Sequence, residues 1–247
     1  YCRGLADSPD VPASTIDELI GNVDKAFDDM VLTTDPQDAF GDADLVIEAI
    51  AEIIDEKDAF YSSIKDILPG RTILCTNSST LLPSTMMGFT GREDRFLALH
   101  FANNIWKNNT AEVMGTPKTS EESYETVVEF ARAIGMIALE LKKEQPGYLL
   151  NSMLVPFLNS AEALLANGVA DVETIDAAWT LGTGAPLGPF RILDIVGLAT
   201  AYNIVAASPA AQDPDSTAAR IAAMLKQRID EGKTGINAGE GFYKYDK

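Results

Sequence analysis

Three short apolar runs constrain this chain more than any other feature: DADLVIEAI over residues 42–50, TILCTNSS over 72–79 and RFLALHFAN over 95–103. Their apolar stretches are strand-length and do not alternate, so each reads as a strand covered on both faces. TAEVMGTP (110–117) is a fourth, shorter run, and MIALELKK (136–143) alternates as an edge strand does. Helical patterns lie between them: 52–67, stopped before Pro69-Gly70, a short stretch near 83–88, and 120–133, stopped by Gly135. Ahead of the first run the spacing predicts a helix over 15–29, with Thr15 as N-cap and Glu18 at the capping-box position, then a β-like VLTT at 31–34. Strands alternating with helices are the α/β signature, because parallel neighbours need a crossover connection.

The pattern changes after Pro146. Residues 148–166, 171–181, 189–206 and 215–231 read as helices, and only GFYKY (241–245) reads as a strand. GTGAPLGP (182–189) is glycine-rich but lies among helices, which makes it a connection. The predicted organisation is an α/β domain over 1–144 and a helical domain over 145–247.

Charge narrows the partners. Thirty-seven acidic against 19 basic side chains leave a net charge of −18. Phosphate backbones and anionic membrane surfaces demand basic patches, so nucleic acid and membrane are excluded as partners. No apolar stretch approaches the roughly 20 residues of a membrane span. Two cysteines, Cys2 and Cys75, make no disulfide framework, and Cys75 sits in a core-like run. No signal-peptide pattern opens the chain, which begins at Tyr1, and the expected compartment is the cytoplasm.

Open α/β sheets bind ligands beyond the carboxyl ends of their strands. The first run ends near Glu48 and Glu52, the second in Asn77-Ser78-Ser79-Thr80, the third in His100 and Asn103. Glu112 follows His100 by twelve residues, so a pair on one rim is geometrically easy if the two strands are neighbours. His100 is the single histidine of the protein and the natural proton carrier near neutral pH. Taken singly, each has a plainer reading: a core histidine, a solvated strand glutamate, and for Ser79 a helix N-cap before Leu81. One histidine and two distant cysteines give no metal-ligand spacing. GxSxG, Walker A and GxGxxG patterns are all missing, so the chemistry points to a borrowed cofactor.

Read together, these stretches resemble the L-3-hydroxyacyl-CoA dehydrogenase family. The matching segments are DADLVIEAIAEIIDEK, TILCTNSSTL, DRFLALHFAN, AEVMGTPKTSEESYETV, PGYLLNSMLVPFLNSAEALLANG, IDAAWTLGTGAPLGPFRILDIVGL and GEGFYKY, in family order from about residue 31 onward. The resemblance implies a Rossmann-type, doubly wound parallel sheet that binds NAD, followed by an all-helical domain that dimerises, with an acyl-CoA substrate. It implies His100 as catalytic base, Glu112 as its partner, Ser79 as a contact near the reacting carbon and to the cofactor, and Asn151 as a contact to the substrate carbonyl. Ala49, Glu52, Lys57 and Asn103 resemble NAD contacts. The sequence departs from the family in three ways. HFANNIWKNNTAE lacks the usual proline after the histidine strand. Asn237 stands where a cofactor-reaching lysine is common, with Lys233 the nearest substitute. The family's first strand and glycine-rich phosphate loop are expected ahead of residue 1. A dehydrogenase of another 3-hydroxy acid and a non-catalytic relative are the alternatives.

Overall fold

The computed structural model describes residues 13–245, so Cys2 lies outside the described residues. By contacts the chain divides into two compact units after Leu149. In the first, α1 (Ala13–Asp28) and α2 (Pro36–Phe40) precede β1 (Leu45–Glu48). Then come α3 (Ile54–Ile64), β2 (Ile73–Thr76), α4 (Met87–Thr90), β3 (Phe96–Phe101), β4 (Thr110–Gly115), α5 (Glu121–Ala133) and β5 (Ile137–Leu141). The five strands form one sheet in the order β1-β2-β3-β4-β5. Parallel pairing dominates, as the sequence predicts, and both faces of β2 and β3 are covered; β1 departs from the expectation, because it stands at the edge of the sheet with Ile47 38% exposed. Val46, Leu74 and Phe96 pack with Tyr61 and Ile64 of α3, whereas Cys75, Leu97, Leu99 and Val113 pack with Val127, Val128 and Ala131 of α5. Burial pushes the Cys75 thiol well above its ordinary range, so it is an inert core residue.

One pair is antiparallel: β3 against β4. The physical reason is loop length, since the residues between Phe101 and Thr110 cannot hold the crossover helix that a parallel pair requires. The register that results sets His100 directly opposite Glu112.

The start of the unit corrects two expectations. α1 already includes Ala13, so Thr15 lies inside the helix rather than capping it. Residues 31–34 form no strand: Val31 is 83% and Leu32 84% exposed, and no described strand borders them. A β conformation without a paired neighbour leaves its backbone groups to water.

The second unit is helical: α6 (Leu150–Ala166), α7 (Val172–Thr183), α8 (Pro189–Val196), α9 (Leu198–Ala206) and α10 (Thr217–Asp230). Leu158, Ile175, Phe190, Leu193, Leu198, Ile221 and Leu225 centre its core. The predicted helix 189–206 is two, bent by 96° at Gly197, whose φ of 93° ends α8. GFYKY is no strand. Its Phe242 and Tyr243 amides donate to the buried Asp194 carboxylate at 2.7 and 2.9 Å, as does the Tyr245 hydroxyl at 2.8 Å, instead of to a sheet neighbour. Among the described residues no single helix is long and apolar enough to cross a membrane.

Candidate active site

β1, β2 and β3 run parallel, so their carboxyl ends share one rim. At that rim His100 Nδ1 lies 3.0 Å from Glu112 Oε2, and His100 Nε2 lies 3.1 Å from Ser79 Oγ. His100 and Glu112 are both buried, at 7% and 3%, while Ser79 is exposed. An ionised carboxylate only accepts, so the proton on the imidazole belongs on Nδ1, and Nε2 keeps a lone pair that accepts from the Ser79 hydroxyl. The result is a chain of three polar groups that opens to solvent at its serine end. Ser79 caps no helix. The turn is made by Ser78, whose Oγ accepts from Leu81 N–H at 3.1 Å.

Besides Ser79, the four other residues expected near a cofactor fall in two classes. Ala49 and Glu52 stand just past β1, where residues 49–53 are all exposed, and the exposed Asn103 follows β3. Glu52 Oε1 accepts from Ser78 Oγ (2.6 Å), Thr80 N–H (2.7 Å), Thr80 Oγ1 (2.8 Å) and Leu81 N–H (3.3 Å). Burial alone raises its carboxyl, but these hydrogen bonds outweigh it and hold the group below the usual carboxylate range. Lys57 differs. Its ammonium is buried, 2.6 Å from Glu48 and 3.7 Å from Glu52. Glu48 in turn accepts from Tyr61 OH at 2.5 Å, Thr76 Oγ1 at 2.9 Å and Ile50 N–H at 2.8 Å. Lys57 therefore spends its charge inside the protein, on the glutamate that anchors the end of β1.

Asn151 stands in the first turn of α6, in the helical unit. Lys233 is paired with Glu231 at 2.8 Å and Glu240 at 3.5 Å, inside that same unit. Among the described residues no cluster of histidine, cysteine or carboxylates could hold a metal. Sequence reasoning missed Tyr148, which stacks on His100, and Leu149, whose amide reaches Glu112. The sequence places both at the start of the predicted helix 148–166, whereas α6 begins at Leu150, and the turn they form has no signal beyond a tyrosine directly after Pro146-Gly147.

A sequence model described as "3-hydroxyacyl-CoA dehydrogenase, NAD binding domain" matches residues 14–145, and one described as "3-hydroxyacyl-CoA dehydrogenase, C-terminal domain" matches 147–245. The chain belongs to the 3-hydroxyacyl-CoA dehydrogenase family. It is thus an oxidoreductase, with NAD as its cofactor. A human relative, "Hydroxyacyl-coenzyme A dehydrogenase, mitochondrial", is 36% identical over 90% of this chain and 70% of its own length. A Deinococcus radiodurans relative, "Probable 3-hydroxybutyryl-CoA dehydrogenase", is 34% identical over 86% and 75%. Among solved structures, a diketoreductase described for dual catalysis of dicarbonyl compounds is similar with a TM-score of 0.85 and 51% identity, covering 98% of this chain and 81% of that one. (S)-3-Hydroxybutyryl-CoA dehydrogenase from Ralstonia eutropha follows with a TM-score of 0.77 and 28% identity, over 95% and 84%.

Of the cofactor's parts, the nicotinamide and its ribose fit the residues described. The exposed segment 49–53 carries the ionised Glu52 at the rim, hydrogen-bonded to Ser78 and Thr80 on either side of Ser79. The first turn of α3 instead carries Asp55 and Glu56, which repel a pyrophosphate.

Proposed function

We propose that this family member interconverts a 3-hydroxyacyl-CoA and a 3-oxoacyl-CoA, with His100 and Glu112 as its acid/base pair. The supporting observation is the hydrogen-bonded chain Ser79–His100–Glu112 at the strand ends. In the oxidation, His100 Nε2 removes the proton of the substrate hydroxyl, and NAD supplies the acceptor for the hydride leaving the same carbon. Glu112 holds the imidazole in the Nδ1–H tautomer and stabilises the imidazolium that forms. In the reduction, the imidazolium returns its proton to the incoming alkoxide. Ser79 orients the reacting oxygen. Ala49, Glu52 and Asn103 flank the nicotinamide half, and Lys57 acts behind them by setting Glu48 and Glu52. Self-association through the helical unit belongs to the same reading, supported by exposed apolar side chains there such as Met153, Val169 and Leu181. So does a cytoplasmic location.

The likeness to a diketoreductase favours a second reading, reduction of a dicarbonyl compound that carries no CoA. Comparing kcat/KM for acetoacetyl-CoA with that for a free β-keto ester, with NADH, separates the two. For either substrate, His100→Gln is expected to lower kcat about a hundredfold or more. A loss below about threefold removes His100 as the acid/base group.

A further inference from the structure

The linker that leaves the sheet unit does more than join. Gly147 and Tyr148 both adopt left-handed backbone, with φ of 77° and 55°. Tyrosine is strained there, since its Cβ crowds the backbone where only glycine and a few short polar residues are at ease. The strain aims the side chain inward. Tyr148 is 1% exposed, among Ala98, Met114 and Leu141. Its ring lies flat on the His100 imidazole, centroids 4.5 Å apart and planes 16° from parallel. Its hydroxyl donates to the carbonyl of Ser78 at 2.7 Å, and that peptide leads directly into Ser79. The next residue adds a third tie: the Leu149 amide donates to Glu112 Oε1 at 2.8 Å, leaving Oε2 for the imidazole.

We infer that Tyr148, with the Leu149 amide, is a positioning element for the reaction: one linker turn orients all three members of the Ser79–His100–Glu112 chain. The ring blocks one face of the imidazole and stops it from tilting, so Nε2 stays aimed at the reacting oxygen. The hydroxyl fixes the turn that carries Ser79. The amide fixes which carboxylate oxygen meets Nδ1. Burial holds the Tyr148 hydroxyl far above the ordinary phenol range, so it remains a donor at every working pH. The inference rests on the acid/base reading of His100.

Because His100 is the single histidine, tag-free protein gives one imidazole set in the NMR spectrum, with no assignment problem. A stacked tyrosine shifts the ring protons of that imidazole upfield. In the wild type and in Tyr148→Phe the shift is expected, and Tyr148→Leu is expected to remove it. In kinetics, Tyr148→Phe keeps the stacked ring but loses the hydroxyl's hold on the Ser79 turn, so its kcat should fall by about threefold to tenfold, less than that of Tyr148→Leu. Tyr148→Leu should lose about tenfold or more in kcat, while KM and Kd for NADH stay within about twofold, since misplacement of a reacting group acts on the chemical step. An unshifted imidazole in the wild type overturns the proposal with no variant needed. An inactive His100→Gln beside a Tyr148→Leu of wild-type kcat overturns it alone, leaving the acid/base reading intact. A fully active His100→Gln overturns both.

Discussion

Two buried glutamates, one in each unit, follow opposite rules. Glu48 of the sheet unit is 2% exposed, and its two oxygens accept from a lysine, a tyrosine, a threonine and a backbone amide. Glu162 of α6 is 1% exposed, and its Oε1 has no hydrogen-bond partner. Burial pushes the Glu162 carboxyl up to about 7. The contrast teaches that depth alone does not set the fate of a buried carboxylate. What decides is whether donors are waiting where the side chain arrives. At the rim the same rule serves the site, since Glu112 is held by a backbone amide on one oxygen and the imidazole on the other.

The comparison breaks most sharply at Glu48. Glu48→Ala leaves the Lys57 ammonium buried beside an emptied site, an expected loss of about 3–5 kcal/mol in urea unfolding. A loss below about 1 kcal/mol would mean that the network is not what secures the end of β1.

Glu162→Leu should act in the opposite direction. The folded protein binds the Glu162 proton more tightly than the unfolded chain, whose glutamate titrates near 4.5. The stability linked to this group is therefore complete below about pH 4.5 and is lost as pH rises through about 7. Removing the carboxyl should then stabilise the protein by up to about 3 kcal/mol at pH 8 and by much less at pH 5. Unfolding midpoints of both proteins at the two pH values check it, and a pH-independent difference sinks it.

The smallest effect expected is at Tyr61→Phe. One donor to Glu48 disappears, but Thr76 still serves the same oxygen, so about 1.5 kcal/mol is expected. A loss matching that of Glu48→Ala would show that the network fails as a whole rather than bond by bond.

The same contrast runs through what was legible beforehand. Apolar runs without alternation announce strands, and β1, β2 and β3 lie where the runs predict them, but only β2 and β3 are buried on both faces. The change of pattern after Pro146 announces the helices that follow. The twelve-residue interval between His100 and Glu112 is equally readable, because composition and spacing are local properties of the chain. Periodicity reports which face of an element is apolar, but not which distant group will meet it. The antiparallel turn of β3 into β4, which sets His100 opposite Glu112, depends on pairing across the sheet. Lys57 has the sequence of a surface helix lysine, yet Glu48 draws it inside. Tyr148 follows Pro146-Gly147 with nothing in its neighbours to mark it. Only the folded linker, held in a backbone conformation that tyrosine resists, lays its ring on the histidine, since non-local packing alone can offset that local cost.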